Sequence, residues 1–196
     1  MEEHRVIVLG SAGVQMGRTI VSQGIDPKNL YFLGSNIDTF KQVDIENKHL
    51  LIGIEPGLGN YEITEEIFNR NLSVFEELLE PQVHYFLVCG LGGSTTFGLV
   101  TRLTKLLIQK NKKFTIVAVA PFHWEGKRRK TRASMTYDQL VNIAEEQLII
   151  VSLDQLCTQH KVSVQDIFHY ADQVVSQIIQ EIIEKEKTSY PFDKQE

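Results

Sequence analysis

Short apolar runs rich in β-branched residues alternate with helical patterns along most of this 196-residue sequence. A chain that alternates in this way builds βαβ units, in which parallel strands form one sheet and helices cover both of its faces. We therefore predict an α/β fold, with a Rossmann-like, three-layer arrangement around a mostly parallel sheet. The predicted strands are Val6–Leu9, Leu30–Leu33, Leu50–Ile54, Tyr85–Val88, Phe114–Ala120 and Leu148–Val151.

The two clearest helical patterns predict helices over Ile63–Leu79 and Val164–Glu184, where apolar residues recur at spacings of three and four. A helix buried between two domains is apolar nearly all round, whereas the second of these helices has a continuous polar face. That face consists of Gln173, Ser176, Gln177, Gln180, Glu181 and Glu184. We therefore expect one domain over residues 1–185, followed by a polar tail over residues 186–196.

The composition is that of an ordinary soluble protein, with 42% hydrophobic residues and a formal net charge of -5. No signal-peptide core and no apolar stretch long enough to span a bilayer is present, so we expect a cytoplasmic location. The two cysteines form no CxxC pair and no His/Cys cluster has metal-ligand spacing, which predicts no metal site on the protein itself. A basic run at residues 127–132 fits a nucleic-acid patch or a solvated, ribose-side loop. The acidic net charge and the lack of a stacking platform favour the loop.

Small residues follow the strands at the edge where α/β proteins bind ligands, beyond the carboxyl ends of the sheet. The glycine-rich stretch Cys89–Gly98 separates the fourth strand from an amphipathic helix, and backbone N–H groups at such a helix start favour a phosphate. A βα turn also needs glycine for steric reasons alone. Further loops after other strands make a nucleotide-sized anionic ligand the better explanation: Gly10–Gln15, Gly34–Asp38, Pro56–Asn60 and Pro121–Arg129.

In their order these residues resemble the tubulin and FtsZ GTPases, over roughly Arg5 to Ile183. The most specific match is Pro121-Phe122-x-Trp124-Glu125-Gly126 with the basic residues after it, which is similar to the FtsZ pattern Pro-Phe-x-Phe-Glu-Gly. Gly92–Gly98 corresponds to the signature loop Gly-Gly-Gly-Thr-Gly-Thr-Gly. Two shorter matches are Asn36-x-Asp38, for Asn-Thr-Asp, and Phe168-x-x-Ala171-Asp172, for the start of the long central helix.

The resemblance implies a guanine nucleotide, GTP or GDP with Mg²⁺, whose base lies near Phe168 and Asp172. A carboxylate pairs with the N1–H and the exocyclic amine of guanine, which adenine does not present together. Glu125 and Arg129 would hold the ribose, and Asn36 and Asp38 would lie near the terminal phosphate and its Mg²⁺. The implied phosphate-binding residues are Ser11, Ala12, Gly13, Val14, Gln15, Gly92, Gly93, Ser94, Thr95 and Thr96. A plainer interpretation stays open: Phe168 also fits an apolar helix face, and Glu125 and Arg129 also fit a surface ion pair.

Several residues depart from the family pattern. Ser94 and Thr96 replace glycines, Phe97 replaces a threonine and Leu153 replaces an asparagine. If the two glycine positions need a left-handed backbone, these side chains add strain and phosphate affinity falls. The loop over Gly57–Asn60 is also shorter than its counterpart. We therefore expect weakened nucleotide binding.

In the family, acidic residues of a second domain complete hydrolysis between subunits, and this sequence ends before that domain. We expect little GTP hydrolysis by the chain alone and assign no catalytic residue. The favoured function is to join, cap or regulate a filament, with a homo-oligomer or an FtsZ/tubulin-like protein as partner. Two alternatives remain: an interaction module that has kept the fold and lost the nucleotide, and a GTPase that self-assembles.

Overall fold

The computed structural model describes residues 3–51, 63–160, 163–164 and 166–189. In this part of the chain six strands form one sheet with the order β3-β2-β1-β4-β5-β6, and every neighbouring pair is parallel. The predicted α/β fold with a parallel sheet is confirmed. The strands are β1 (Glu3–Leu9), β2 (Leu30–Gly34), β3 (Asn47–Leu50), β4 (Val83–Gly90), β5 (Lys113–Ala120) and β6 (Leu148–Ser152).

Helices connect the strands and cover both faces of the sheet. They are α1 (Gly10–Ser22), α2 (Ile37–Gln42), α3 (Glu65–Arg70), α4 (Leu72–Glu77), α5 (Thr96–Gln109), α6 (Lys127–Ala144), α7 (Leu153–His160) and α8 (Ile167–Ser189). Two short 3-10 turns precede β2 and β6. Among the helices of the described residues, none has the length and apolar character needed to cross a membrane.

The alternation of side chains along the central strands divides the interior into two cores. On β1, Ile7 and Leu9 face the helices α3 to α6, whereas Val6 and Val8 face α1, α7 and α8. All eight residues of β4 are buried, as expected for a central parallel strand with helices on both sides. The two cores hold the helices firmly against the sheet and so position the loops at its carboxyl edge.

The predicted bounds differ most from the structure at strand β3 and at the first predicted helix. Strand β3 begins at the polar residue Asn47 and ends at Leu50, so the prediction of a strand starting at Leu50 was wrong there; residues 52–54 lie outside the described part. The predicted helix Ile63–Leu79 is divided into α3 and α4. Asn71, which is 1% exposed, separates them, and its side-chain amide donates a hydrogen bond to the Ile67 carbonyl at 2.7 Å. This local bond competes with the continuing helix.

Helix α8 starts later and ends later than predicted, and residues 186–189, which were assigned to the tail, are helical. Ser176 was placed on the polar face but is fully buried, whereas Gln173, Gln177, Glu181 and Glu184 are exposed. Gln180 is half-buried, and its side-chain amide donates to the Gln23 carbonyl of the segment after α1.

The last turns of α8 lie over the amino-terminal edge of the sheet, where Glu186 accepts hydrogen bonds from His4, His84 and Lys113. Burial opposes ionisation of Glu186, but the bonds from Lys113 and His4 and the nearby His84 outweigh it and lower its pKa to about 2. For His84, burial lowers the pKa, and this effect exceeds the opposite effect of the nearby Glu186. Glu186 is therefore an anion that fastens α8 to three strands.

Candidate functional site

A cavity of about 530 Å³ opens at the carboxyl edge of the sheet, beyond the ends of β1 and β4. The start of α1, the loop between β4 and α5, and the first turns of α6 form its walls. Its volume is within the range of roughly 300 to 1,000 Å³ that small-molecule sites span. The lining residues are Leu9, Gly10, Ser11, Ala12, Gly90, Gly92, Gly93, Ser94, Thr95, Thr96, Gly126, Lys127, Arg128, Arg129 and Arg132.

The glycine-rich loop uses a left-handed backbone at two positions, Gly92 and Gly98, each with φ of +86°. Both positions have kept their glycine. Ser94 and Thr96 are not among the described non-glycine residues with positive φ, so the strain expected from them is not present. The backbone of the loop is therefore intact despite the two substitutions.

Helix α5 is interrupted by a kink in its first turn. The Phe97 N–H donates to the Gly93 carbonyl at 2.9 Å, and Phe97 and Gly98 then depart from helical angles. The Arg132 guanidinium of α6 lies 5.9 Å from the centre of the Phe97 ring. The bulkier side chain at position 97 therefore makes a cation–π contact with Arg132.

Basic side chains dominate the charge around the cavity. Lys127, Arg128, Arg129 and Arg132 line it, and no aspartate or glutamate of the described residues does so. Sequence reasoning left this basic run as a solvated or ribose-side loop and gave Arg132 no role in the site. These residues belong to the first turns of α6, which lie against the glycine-rich loop, so the cavity is suited to an anion with several charges.

The structure brings most of the predicted phosphate-binding residues together. Those that line the cavity are Ser11, Ala12, Gly92, Gly93, Ser94, Thr95 and Thr96. The remaining three lie further along α1: Gly13 and Val14 are buried against the sheet, and Gln15 is exposed. A Cβ at Gly13 would lie 3.1 Å from the backbone of Val8, so this glycine permits close helix packing.

Asn36 directly precedes α2, Asp38 lies in its first turn, and neither residue is part of the cavity wall. The Asn36 side chain accepts a hydrogen bond from the Thr39 N–H at 2.9 Å and caps the helix, and Asp38 is exposed in its first turn. Hydroxyl pairs connect this region to the cavity, Ser11 with Thr39 at 3.1 Å and Ser35 with Thr95. The loop Pro56–Asn60 lies outside the described residues.

The two residues implied for the base lie at the start of α8. Asp172 is 5% exposed, and none of the described residues donates a hydrogen bond to its carboxylate. Burial raises the pKa of Asp172 to about 6, and the nearby His169 offsets only part of that effect. Phe168 is 51% exposed, with its ring edge-on to Phe122 at 6.0 Å. A buried acid beside an exposed ring is suited to a flat ligand that carries N–H donors.

Glu125 and Arg129 form an ion pair at 2.9 Å, and Glu125 also accepts from the Phe122 N–H at 2.9 Å. Arg129 extends to the cavity from this pair. Leu153, at the start of α7, is 2% exposed and packs in the core. The family asparagine at that position is therefore replaced by a core residue.

The six-stranded parallel sheet with helices on both faces has the fold of the tubulin/FtsZ nucleotide-binding domain. No protein-family model matches the chain. Among curated proteins, the sequence is similar to the cell division protein FtsZ of Aquifex aeolicus, with 24% identity over 185 residues. That match covers 91% of this chain and 50% of the relative.

FtsZ 1 of Pyrococcus woesei is 26% identical over 184 residues, and that match covers 91% of this chain and 50% of the relative. Among solved structures, an FtsZ dimer of M. jannaschii superposes with a TM-score of 0.76 at 20% identity, covering 94% of this chain and 55% of that one. CetZ of Methanosaeta thermophila superposes with a TM-score of 0.75 at 15% identity, covering 94% of this chain and 54% of that one. The resemblance to the tubulin/FtsZ family is thus confirmed, and the chain spans about half the length of the curated relatives that it matches.

Proposed function

We propose that this chain binds a guanine nucleotide, GTP or GDP with Mg²⁺, and places its phosphates in the basic cavity. The observation that carries the proposal is the meeting of two glycine-rich loops and four basic side chains of α6 around one cavity. Backbone amides and hydroxyls at helix starts bind phosphate oxygens, and arginines add paired hydrogen bonds. Two related proteins of Haloferax volcanii are described as a GTPγS-bound protofilament and a GDP-bound monomer.

In this proposal Asp172 selects the base. Its carboxylate is buried and receives no hydrogen bond from the described residues, and guanine supplies the two N–H donors that compensate for this burial. Phe168 would contact the face of the base. Glu125 and Arg129, already paired, would bind the ribose hydroxyls and the nearest phosphate.

The Mg²⁺ ion would be held mainly by phosphate oxygens and water. The described cavity wall offers hydroxyls of Ser11, Ser94, Thr95 and Thr96 but no carboxylate. Mg²⁺ commonly keeps several waters and binds substrate phosphates in this way. Among the described residues the wall therefore offers no carboxylate as a general base to activate water, which fits the proposal of little hydrolysis by the chain alone.

For the biological role, we propose that the protein acts in the cytoplasm, where it joins, caps or regulates a filament of an FtsZ/tubulin-like partner. Relatives are named as cell division proteins, and one similar structure is described as a filament. Sedimentation with GTP tests this role, and long filaments formed by the pure protein would exclude capping.

Calorimetric titration of the nucleotide-free chain tests nucleotide binding directly. We expect binding of GTP and GDP, weaker binding of GMP and none of ATP. Arg129→Ala should weaken GTP binding about tenfold or more, because a hydrogen bond to a charged group contributes roughly 1.5 to 3 kcal/mol. Lys130→Ala is the matched control, since Lys130 belongs to the same basic run but does not line the cavity. Equal effects of the two substitutions would contradict the proposed site.

A second function, an interaction module without nucleotide, is favoured by the polar groups that are already satisfied within the protein. Asn36 caps α2, Glu125 pairs with Arg129, and Ser35 pairs with Thr95. No heat of binding at millimolar GTP would favour this module. GTPase activity that rises more than linearly with protein concentration would instead favour self-assembly.

A further inference from the structure

A second cluster of polar side chains lies at the opposite edge of the sheet from the cavity. His4 on β1, His84 on β4 and Glu186 near the end of α8 each offer a ligand atom, and these atoms lie within 4.8 Å of one another. His4 Nε2 is 2.9 Å from one Glu186 oxygen, and His84 Nδ1 is 2.8 Å from the other. Two imidazoles and one carboxylate are typical ligands of Zn²⁺.

The two imidazoles are held rigidly. His4 and His84 are register partners on adjacent strands, so their side chains lie side by side on one face of the sheet. Both rings also stack against Phe86, with ring centres 6.2 Å and 4.4 Å away. Because His84 is only 3% exposed, its ring has little freedom to leave this position.

A hydrogen bond on the far side of His84 fixes which nitrogen faces the cluster. His84 Nε2 lies 3.0 Å from the Thr115 hydroxyl, which leaves Nδ1 toward Glu186. Histidines that bind metals have a partner of this kind on the second nitrogen, and the partner orients the ring and fixes its tautomer. Thr115 lies on β5, and its position is set by the strand register, in which it is the partner of Phe86 on β4.

We propose that His4, His84 and Glu186 form a binding site for a transition-metal ion such as Zn²⁺, with water as the fourth ligand. Tetrahedral ligands at about 2.1 Å from Zn²⁺ are roughly 3.4 Å apart. The three ligand atoms lie within 4.8 Å of one another, so the farthest pair would have to approach by at most about 1.4 Å to reach this spacing. Imidazole ligands favour Zn²⁺ over Mg²⁺ or Ca²⁺, which prefer oxygen.

Lys113 competes with this ion for the carboxylate of Glu186. Its ammonium lies 2.8 Å from the Glu186 oxygen that also contacts His84, and its side chain is 48% exposed. A bound metal ion repels this ammonium, which can turn into solvent. The site therefore holds Zn²⁺ less tightly than a site without a lysine, and removal of Lys113 strengthens it.

Titration of the metal-free full-length chain with Zn²⁺ tests the site, with Co²⁺ as a spectroscopic probe. We expect one ion per chain and the visible absorption of tetrahedral cobalt. His4→Gln and Glu186→Gln should abolish both signals, and Thr115→Val should weaken affinity about tenfold or more. Lys113→Met should tighten binding at least tenfold, a result that an ion-pair network without a metal site does not give.

His123→Gln is the matched control, because His123 is an exposed histidine that pairs with Asp154 far along the chain from the cluster. Its Zn²⁺ binding should equal that of the wild-type chain. Two results would overturn the proposal: no binding by the folded wild-type and Lys113→Met chains, or binding that persists in His4→Gln and Glu186→Gln. Circular dichroism confirms that each variant is folded before it is titrated.

Discussion

The Asp172→Asn variant is expected to be more stable than the wild-type chain at pH 7.5, by up to about 3 kcal/mol. Burial raises the pKa of Asp172 from 3.8 to about 6, so the folded protein carries a poorly solvated carboxylate at neutral pH. A pKa difference of one unit corresponds to roughly 1.4 kcal/mol, and an asparagine removes the charge.

The direction of this stability change follows from the pH dependence of folding stability. Between about pH 4 and pH 6 the folded state binds the Asp172 proton more tightly than the unfolded state does, so stability falls as the pH rises through this window. At pH 4 the folded state is protonated and the unfolded state is about half protonated, so wild type and variant should have nearly equal stability. Urea unfolding at pH 4 and pH 7.5 measures the difference, with the exposed Asp138→Asn as control. A difference that is the same at both pH values would contradict burial of the charge.

The same substitution should change which base is bound. Guanine presents two N–H donors, which a carboxylate accepts and an amide does not. Xanthine presents an N–H donor beside a carbonyl acceptor, and this pattern matches the asparagine amide. We expect Asp172→Asn to bind GTP at least tenfold more weakly than wild type and to bind xanthosine triphosphate instead. Unchanged GTP affinity would remove Asp172 from the site, while the stability result would stand.

The Gly92→Ala variant is expected to lose about 2 to 4 kcal/mol of stability and to lose nucleotide binding. Gly92 has φ of +86°, and an added Cβ would lie 2.6 Å from the Arg129 carbonyl oxygen and 2.7 Å from the Arg129 Cγ. The left-handed backbone costs roughly 1 kcal/mol for alanine, and a clash with a packed helix adds about 1 to 3 kcal/mol. The glycine-rich loop and α6 would have to move apart to make room for the added methyl group.

Gly24→Ala is the matched control for this variant. Gly24 also has positive φ, +109°, but an added Cβ there meets no atom within 4 Å. The control should therefore lose only the backbone contribution of about 1 kcal/mol and bind nucleotide as the wild type does. Urea unfolding and calorimetry measure both variants. Equal loss of stability in the two would show that contact between the loop and α6 contributes nothing.

The parallel sheet could be predicted from the sequence because its central strands are continuous apolar runs. The edge strand β3 could not be located, because Asn47, Lys48 and His49 are polar and give no apolar pattern, although their backbones pair with β2. The break between α3 and α4 was missed for a different reason. Asn71 lies inside an apolar helical pattern, and its effect depends on a side-chain hydrogen bond that periodicity does not reveal.

Much of the candidate site followed from one rule, that loops after parallel strands meet at the same edge. The rule places Ser11 beside Thr95 without any knowledge of side-chain packing. It does not tell which side of α6 faces the cavity, so Arg132 was missed. The His4 and Glu186 pair was beyond reach as well, because 182 positions separate these residues and only strand register and the end of α8 bring them together.

Helix α8 carries one acidic residue near each end: Asp172 is 5% exposed, and the side chain of Glu186 is 16% exposed. Asp172 lies in its second turn and Glu186 in its last turns, about four turns of helix or roughly 21 Å apart. The residues between them are tightly packed and resist compression, so the two ends of α8 are expected to move together along the helix axis. If contacts at Glu186 changed ligand affinity at Asp172, a ligand at Asp172 would change the free energy of those contacts by the same amount, because coupling between two sites is reciprocal.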